Sequence, residues 1–164
     1  MVQGRFGGNF ELMEKEWVMG ETVNQLSGLE QLRAMVAAGK MPGIGRTMGF
    51  DLVEIEHGHV VFEGRPGLEV YNPIGMVHGG YAATLLDSAC GCAVHSALSA
   101  VQTYSTLELK VAYHRALTSE TGVVRATGSI VSIGRRAAFA QAKLTDAAGK
   151  LYASATSTLI IMER

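Results

Sequence analysis

Residues 76–98, MVHGGYAATLLDSACGCAVHSAL, decide the fold of this chain. They are rich in Ala and Leu, and their apolar side chains recur at the three- and four-residue spacing of a helix. The apolar stripe consists of Ala82, Leu85, Leu86, Ala89, Ala93 and Leu98. A helix that is apolar over most of its circumference has to be covered on nearly every side. The stretch therefore predicts a long central helix.

The segments on both sides of this helix have the pattern of β-strands. Before it, residues 50–55 and 60–62 alternate between apolar and polar side chains or are rich in β-branched ones. The turn at 56–59 separates these two segments, which predicts a hairpin. After it come four strand-like runs, at 101–114, 121–133, 136–147 and 151–162. Because short hairpin connections separate them, we expect these four strands to pair antiparallel. The order predicts an α+β fold, with one curved antiparallel sheet wrapped around the central helix.

The N-terminal part of the chain has a different character. Residues 1–22 contain four glycines and mixed charges without periodicity, which predicts a flexible arm. Residues 24–38 have apolar residues at helical spacing, and Gly39 and Pro42 follow as stop signals. We therefore divide the chain into an arm (1–22), an extra N-terminal helix with its linker (23–44) and one domain (45–164).

Composition excludes several classes of protein. The 164 residues contain 14 Lys and Arg against 15 Asp and Glu, so a general positive charge for binding nucleic acid is missing. Only 18% of the residues are charged and 48% are apolar, which suggests that partner chains cover part of the surface. No apolar stretch is long enough for a secretory signal or a bilayer-spanning helix. We expect a cytoplasmic protein without a membrane partner.

The cysteines and histidines do not indicate a metal site. Cys90 and Cys92 lie two residues apart, which on a helix separates them by about 200° and suits neither a disulfide nor one metal ion. His57 and His59 share a strand face but have no third ligand nearby. We expect no metal, and two small buried thiols in a reducing compartment.

Two features of the central helix suggest chemistry. Gly79 and Gly80 fall at its start, where backbone N–H groups lack helical partners, so together they could form an oxyanion hole. Asp87 lies beside the apolar stripe, where a carboxylate is costly unless it faces a polar site. Each feature also has a purely structural explanation. The glycines could only begin a tightly packed helix, and Asp87 could be an exposed acid on the polar edge of the helix.

Geometry constrains how these groups could act together. Gly79 and Asp87 are eight residues apart, or about 12 Å along a helix. Groups that act on one carbonyl must converge to about 3–3.5 Å. If both act on the same substrate, they come from different chains. Two such helices lying antiparallel across a two-fold axis would create two sites per dimer.

The spacing of these residues resembles that of a known family, the hotdog-fold acyl-CoA thioesterases of the PaaI and thioesterase-superfamily-member-2 type. The resemblance covers about residues 45–162. It rests on Asn72, Gly75, His78, Gly79, Gly80 and Asp87, followed by Ser105 on the next strand and by Gly134, Arg135 and Arg136. It implies a hotdog fold and hydrolysis of an acyl-CoA to free acid and coenzyme A.

The resemblance also implies a role for each catalytic candidate. The Gly79 N–H would polarise the thioester carbonyl, and Asp87 of the opposite subunit would attack it or activate a water. Asn72 would position the water or the loop, and Ser105 would orient water beside the acid. His78 would lie beside the departing thiol, either bonding it or fixing the loop.

The remaining expectations concern binding and partners. Met76 and Tyr81 would line the substrate pocket together with Gly80, and Arg135 and Arg136 would contact the phosphates of coenzyme A. His114 and Arg115 are weaker candidates for the same contact. Acyl-CoA is the substrate, so no cofactor is expected, and the partner is a second copy, as a dimer or a tetramer built as a dimer of dimers. A non-catalytic acyl-CoA-binding protein and an enoyl-thioester hydratase or dehydratase are the alternatives, and the identity of the acyl group stays open.

Overall fold

The computed structural model describes residues 25–164, so the predicted arm at 1–22 lies outside the described part of the chain. The structure has three helices and six strands among these residues. They are α1 (Gly28–Ala37), α2 (Gly43–Met48), β1 (Phe50–Glu56), β2 (His59–Gly64), α3 (Gly79–His95), β3 (Gln102–Tyr113), β4 (Val124–Ile133), β5 (Ala137–Asp146) and β6 (Leu151–Glu163), with short 3-10 turns at Leu68–Val70 and Ser119–Thr121. The predicted order of elements is confirmed.

The six strands form one antiparallel sheet in the order β1-β2-β4-β5-β6-β3. The predicted β1–β2, β4–β5 and β5–β6 hairpins are present. The prediction that β3 and β4 pair as a hairpin is wrong, because β3 pairs with β6 and β4 pairs with β2. Residues 114–123 carry the chain from the sheet edge back into its interior, which a tight turn does not do. The twelve-residue β3 is therefore an edge strand.

The central helix α3 is covered by the sheet as its composition predicts. Leu85, Leu86, Ala89 and Cys90 are fully buried on it. The helix backbone approaches β4 so closely that a Cβ added at Gly128 would lie 2.2 Å from the Ala89 carbonyl oxygen. Because Gly128 has no side chain, the sheet can pack directly against the helix backbone at this position.

The N-terminal helix α1 packs on the C-terminal end of α3. Ser27 and Glu30 form a capping box at its start, and Gly39 follows its end with a φ of +63°. The Gly28 N–H donates to the Leu98 carbonyl, and a Cβ at Gly28 would lie 1.7 Å from the His95 carbonyl oxygen. The prediction of a helix here is confirmed. Pro42 is the N-cap of the short α2, whose first two residues fall within the segment that the sequence analysis treats as a linker.

Two absences apply to residues 25–164 only. None of their helices is long and apolar enough to cross a membrane. No group of three or more potential metal ligands is found among them.

Candidate active site

Asn72 organises the loop that leads into α3. Its side-chain Oδ1 accepts hydrogen bonds from the N–H groups of Ile74 and Met76, each at 3.1 Å. Its own N–H donates to the Met76 carbonyl at 2.8 Å, and Gly75 adopts a φ of +82° that favours glycine. Asn72 is therefore placed to fix the approach of the chain to the start of the helix, and none of these bonds uses its side-chain N–H2.

His78 is the N-cap of α3 and leaves one helix donor unused. Its Nδ1 accepts a hydrogen bond from the Gly80 N–H at 2.9 Å. Because Nδ1 is the acceptor, the proton of the neutral ring lies on Nε2. The Gly80 N–H is thus already bonded within the chain, and the predicted contact of Gly80 with substrate stays a prediction. The Gly79 N–H has no acceptor among residues 25–164, so it is the donor that remains for a ligand.

Tyr113, at the end of β3, holds the peptide of Gly79 from the other side. Its hydroxyl donates to the Gly79 carbonyl at 3.0 Å. A Cβ added at Gly79 would lie 3.2 Å from the Tyr113 hydroxyl and Cζ, so a side chain here requires a small shift of the Tyr113 ring. An open pocket of about 320 Å³ borders this point, and Asn72, Met76, His114 and Arg115 line it with Tyr113. Sequence reasoning missed Tyr113, because the contact joins residues 34 positions apart and has no local pattern.

Asp87 lies eight residues further along α3 and is half-buried. Its Oδ1 accepts a hydrogen bond from Thr106 Oγ1 at 3.2 Å. The predicted hydroxyl, Ser105, is exposed, because successive side chains of a strand point to opposite faces and Thr106 faces the helix. Thr106 is therefore the hydroxyl beside the acid within one chain, and the role of Ser105 stays a prediction. The alternation of side chains along the strand indicates the same residue. Tyr104 packs on the helix, and Thr106, two positions further on, lies on the same face of the strand.

A second open pocket, of about 220 Å³, adjoins Asp87. Its lining includes the polar residues Asp87, Ser88 and Thr106 together with Tyr104, Cys92 and several apolar side chains. Burial raises the pKa of the Cys92 thiol to about 12, with a smaller contribution from the Asp87 carboxylate. The thiol is therefore protonated near neutral pH and unsuited to act as a nucleophile.

The other predicted binding residues have mixed outcomes. Tyr81 is only 1% exposed, and burial followed by the charge of Glu69 raises its pKa to about 12. The side chain packs in the core and lines neither pocket, and its contact with substrate stays a prediction. Met76 does line the pocket beside Gly79. Arg135 and Arg136 are exposed in the β4–β5 turn and line neither pocket, so their phosphate contact stays a prediction.

The architecture defines the class of this protein. One antiparallel sheet of six strands, curved around a single long helix and preceded by an extra N-terminal helix, is a hotdog fold. Residues 74–153 match the family model described as the thioesterase superfamily. This match covers 80 of the 164 residues, and together with the hotdog fold it makes the chain similar to the thioesterase superfamily, a family of thioester hydrolases.

Individual proteins show the same relationship. A curated protein of Listeria monocytogenes serotype 1/2a (strain 10403S), 1,4-dihydroxy-2-naphthoyl-CoA hydrolase, is 26% identical over 122 residues, which cover 74% of this chain and 98% of that protein. The structure of smu.793 from Streptococcus mutans UA159, bound to acetyl CoA, has 26% identity and a TM-score of 0.64 over 71% of this chain and 90% of that one. The PaaI protein of E. coli, from the phenylacetic acid degradation operon, has a TM-score of 0.72 at 16% identity, covering 82% of this chain and 94% of its own, and shares the fold.

Proposed function

We propose that this protein hydrolyses an acyl-CoA thioester to the free acid and coenzyme A at a site made by two subunits. Asp87 of one subunit and Gly79 of the partner subunit would face the same thioester carbonyl. One observation carries the proposal: the unused Gly79 N–H belongs to the first residue of α3, whereas Asp87 lies eight residues along the same helix and lines a pocket that Gly79 does not. The names of the Listeria hydrolase and of the acetyl-CoA-bound Streptococcus structure support coenzyme A as the thiol.

The edge strand β3 supports this dimer. It carries Thr106, which bonds Asp87, and Tyr113, which bonds Gly79. Its outer edge is free within the described chain, and Leu107 on it is 63% exposed. An exposed long edge strand is a template for pairing with another chain. Antiparallel pairing of β3 with β3 of a second copy brings the acid half of one subunit towards the donor half of the other.

The chemistry follows from these groups. The Gly79 N–H, helped by the positive end of the α3 dipole, accepts the charge that develops on the carbonyl oxygen. Asp87 either attacks the carbonyl carbon or takes a proton from the water that does so. The C–S bond then breaks, and the sulfur leaves with the electron pair and receives a proton. A thiolate is a comparatively good leaving group, so no Ser-His-Asp triad is required.

A mixed dimer tests the shared site. We expect the Asp87→Ala and Gly79→Pro homodimers to lose most activity, each lacking one half of both sites. When the two chains are refolded together in equal amounts, half of the dimers are mixed and each has one intact site, so about a quarter of wild-type activity should return. No recovery, with mixed dimers demonstrated by tagged chains, would mean that the two groups do not act across subunits.

Two finer proposals accompany this function. Arg135 and Arg136 contact the phosphates of coenzyme A, since the guanidinium fork matches phosphate oxygens. Arg136→Ala should then raise KM for a CoA ester but not for the same acyl group on N-acetylcysteamine, which has no phosphate. An equal effect on both esters would refute the contact. We also propose a cytoplasmic location and a tetramer built as a dimer of dimers, which light scattering of the purified protein tests.

A further inference from the structure

The hydroxyl of Tyr113 has no role in the chemistry proposed above, although its position at the start of α3 is closely defined. Tyr113 is the last residue of β3 and pairs with Ala153 of β6. Its hydroxyl donates to the Gly79 carbonyl at 3.0 Å. A Cβ added at Gly79 would lie 3.2 Å from the hydroxyl and Cζ and 3.3 Å from Cε1, so the ring lies directly against the first residue of the helix.

The peptide group that accepts this bond also holds the ring of His78. The Gly79 carbonyl and the Gly80 N–H belong to one planar peptide group, and this N–H donates to His78 Nδ1 at 2.9 Å. Tyr113 and His78 are therefore joined by two hydrogen bonds in series. Hydrogen bonds in series polarise one another, so the bond from the Tyr113 hydroxyl makes the Gly80 N–H a stronger donor to the ring.

The series ends at the second ring nitrogen of His78. A neutral imidazole has one donor and one acceptor nitrogen, and the bond accepted at Nδ1 leaves the proton on Nε2. His78 is exposed, and its Nε2 has no partner among residues 25–164. The Nε2–H and the Gly79 N–H are thus two unused donors on adjacent residues. Because each donor from Tyr113 onwards points towards His78, the polarisation adds up at the Nε2–H.

We propose that Tyr113 is a positioning residue: through the Gly79–Gly80 peptide it holds His78 as a neutral ring whose Nε2–H bonds the departing sulfur. The proposal rests on the function proposed above, since this sulfur is that of the thioester. As the C–S bond breaks, its electron pair goes to the sulfur, and the Nε2–H stabilises that charge by a hydrogen bond. The proton stays on the ring, because a neutral imidazole is a very weak acid. The sulfur receives its proton from the attacking water by way of Asp87, or from solvent.

Removing the hydroxyl alone tests the proposal. Tyr113→Phe keeps the ring against Gly79 but interrupts the series of hydrogen bonds. The matched control is Tyr152→Phe, which removes a hydroxyl from a residue of β6 that lines neither pocket. The acyl group is the one cleaved fastest among acetyl-, octanoyl- and phenylacetyl-CoA. Both kcat and KM are measured for its CoA ester and for its thiophenol ester, whose more acidic thiol needs less stabilisation as it leaves.

In Tyr113→Phe we expect kcat for the CoA ester to fall about fivefold with KM within twofold of the wild type, whereas kcat for the thiophenol ester should change less than twofold. Tyr152→Phe should leave both constants within twofold of the wild type. Because the series ends at His78, adding Tyr113→Phe to His78→Ala should lower kcat less than twofold further. An unchanged kcat, equal losses for the two esters, a rise in KM alone, or the full loss in the His78→Ala background would overturn the proposal.

A measurement without substrate separates this proposal from the proposed hydrolysis. If no thioester is cleaved, the proposed function fails, but the action of Tyr113 on His78 is still tested by NMR. At a pH where the ring is neutral, the nitrogen chemical shifts of His78 give the ratio of its Nε2–H to its Nδ1–H tautomer, and His78→Ala identifies the signals. We expect this ratio to fall at least threefold in Tyr113→Phe and to stay unchanged in Tyr152→Phe. An unchanged ratio in Tyr113→Phe would show that the hydroxyl does not act on His78.

Discussion

Replacing Gly79 with proline removes one hydrogen-bond donor while leaving the helix intact. Gly79 is the first residue of α3, a position at which proline is well tolerated. His78 before it has φ −61° and ψ 134°, the extended conformation that a residue preceding proline requires. The variant therefore lacks the N–H proposed to bind the developing oxyanion and little else that the fold needs.

Gly79→Ala is the matched control, because it adds a Cβ and keeps the N–H. In both variants the new Cβ approaches Tyr113 to 3.2 Å, and Tyr113, which is 56% exposed, can move by the small distance required. The steric effect is thus shared, and the ratio between the variants isolates the donor. Loss of one oxyanion-hole donor costs about 10²–10³ in kcat, or roughly 2.7–4 kcal/mol.

The measurement is kcat for a cleaved acyl-CoA by thiol release, together with the free energy of unfolding in urea. We expect Gly79→Pro to have a kcat at least a hundredfold below that of Gly79→Ala, with unfolding free energies within about 1 kcal/mol of each other. If the proline variant turns over within threefold of the alanine variant, the Gly79 N–H does not stabilise the transition state, and the assignment of the oxyanion hole is refuted.

Three further substitutions probe the surrounding contacts. Thr106→Val removes the hydroxyl that donates to Asp87 and should lower kcat about tenfold, which corresponds to roughly 1.4 kcal/mol. In the control Ser105→Ala, kcat should stay within twofold of the wild type. Equal losses of kcat in both variants would favour Ser105 as the relevant hydroxyl. His78→Ala removes the N-cap and should lower the unfolding free energy by about 1 kcal/mol, which His78→Asn should restore; thermal denaturation of the three proteins measures this, and no restoration would argue against a capping role. Burial raises the pKa of Cys90 from 9.0 to about 12, so the folded thiol stays protonated where the unfolded one ionises, and stability falls as pH rises above 9. At pH 10 this thiol should lower the free energy of unfolding by roughly 1.4 kcal/mol in the wild type but not in Cys90→Ala. The free energy of unfolding is measured against pH for both proteins, and parallel profiles would contradict the raised pKa.

The fold was largely predictable because its strongest signal is local. The apolar residues of α3 repeat at helical spacing, and strands with hairpin turns surround them. The placement of β3 was not predictable in this way. Local turn chemistry indicated a partner next in sequence, but the partner of β3 is β6, brought beside it by the course of the whole chain. Pairing between distant strands is set by closure of the sheet around the helix, which local patterns do not encode.

The site was predictable to the extent that its residues are close in sequence. Asn72, His78 and Gly79 do lie together at the start of α3, and Asp87 has a polar neighbour. Gly80 has the right backbone position, but its N–H is already bonded to His78, which no spacing rule reveals. Tyr113 was missed because it reaches Gly79 only through the folded sheet.

In the proposed dimer, strand β3 has a second role besides holding the two chains together. Thr106 and Tyr113 lie seven positions apart on it, so one strand supports both the acid and the donor end of the helix. In the proposed dimer, antiparallel pairing that sets these two positions opposite each other would be centred between Leu109 and Lys110. A slip of one residue on either strand displaces the partner by about 3.4 Å, more than a hydrogen bond tolerates. The alignment of the two edge strands would then control activity, and a dimer with misaligned strands would be folded but inactive.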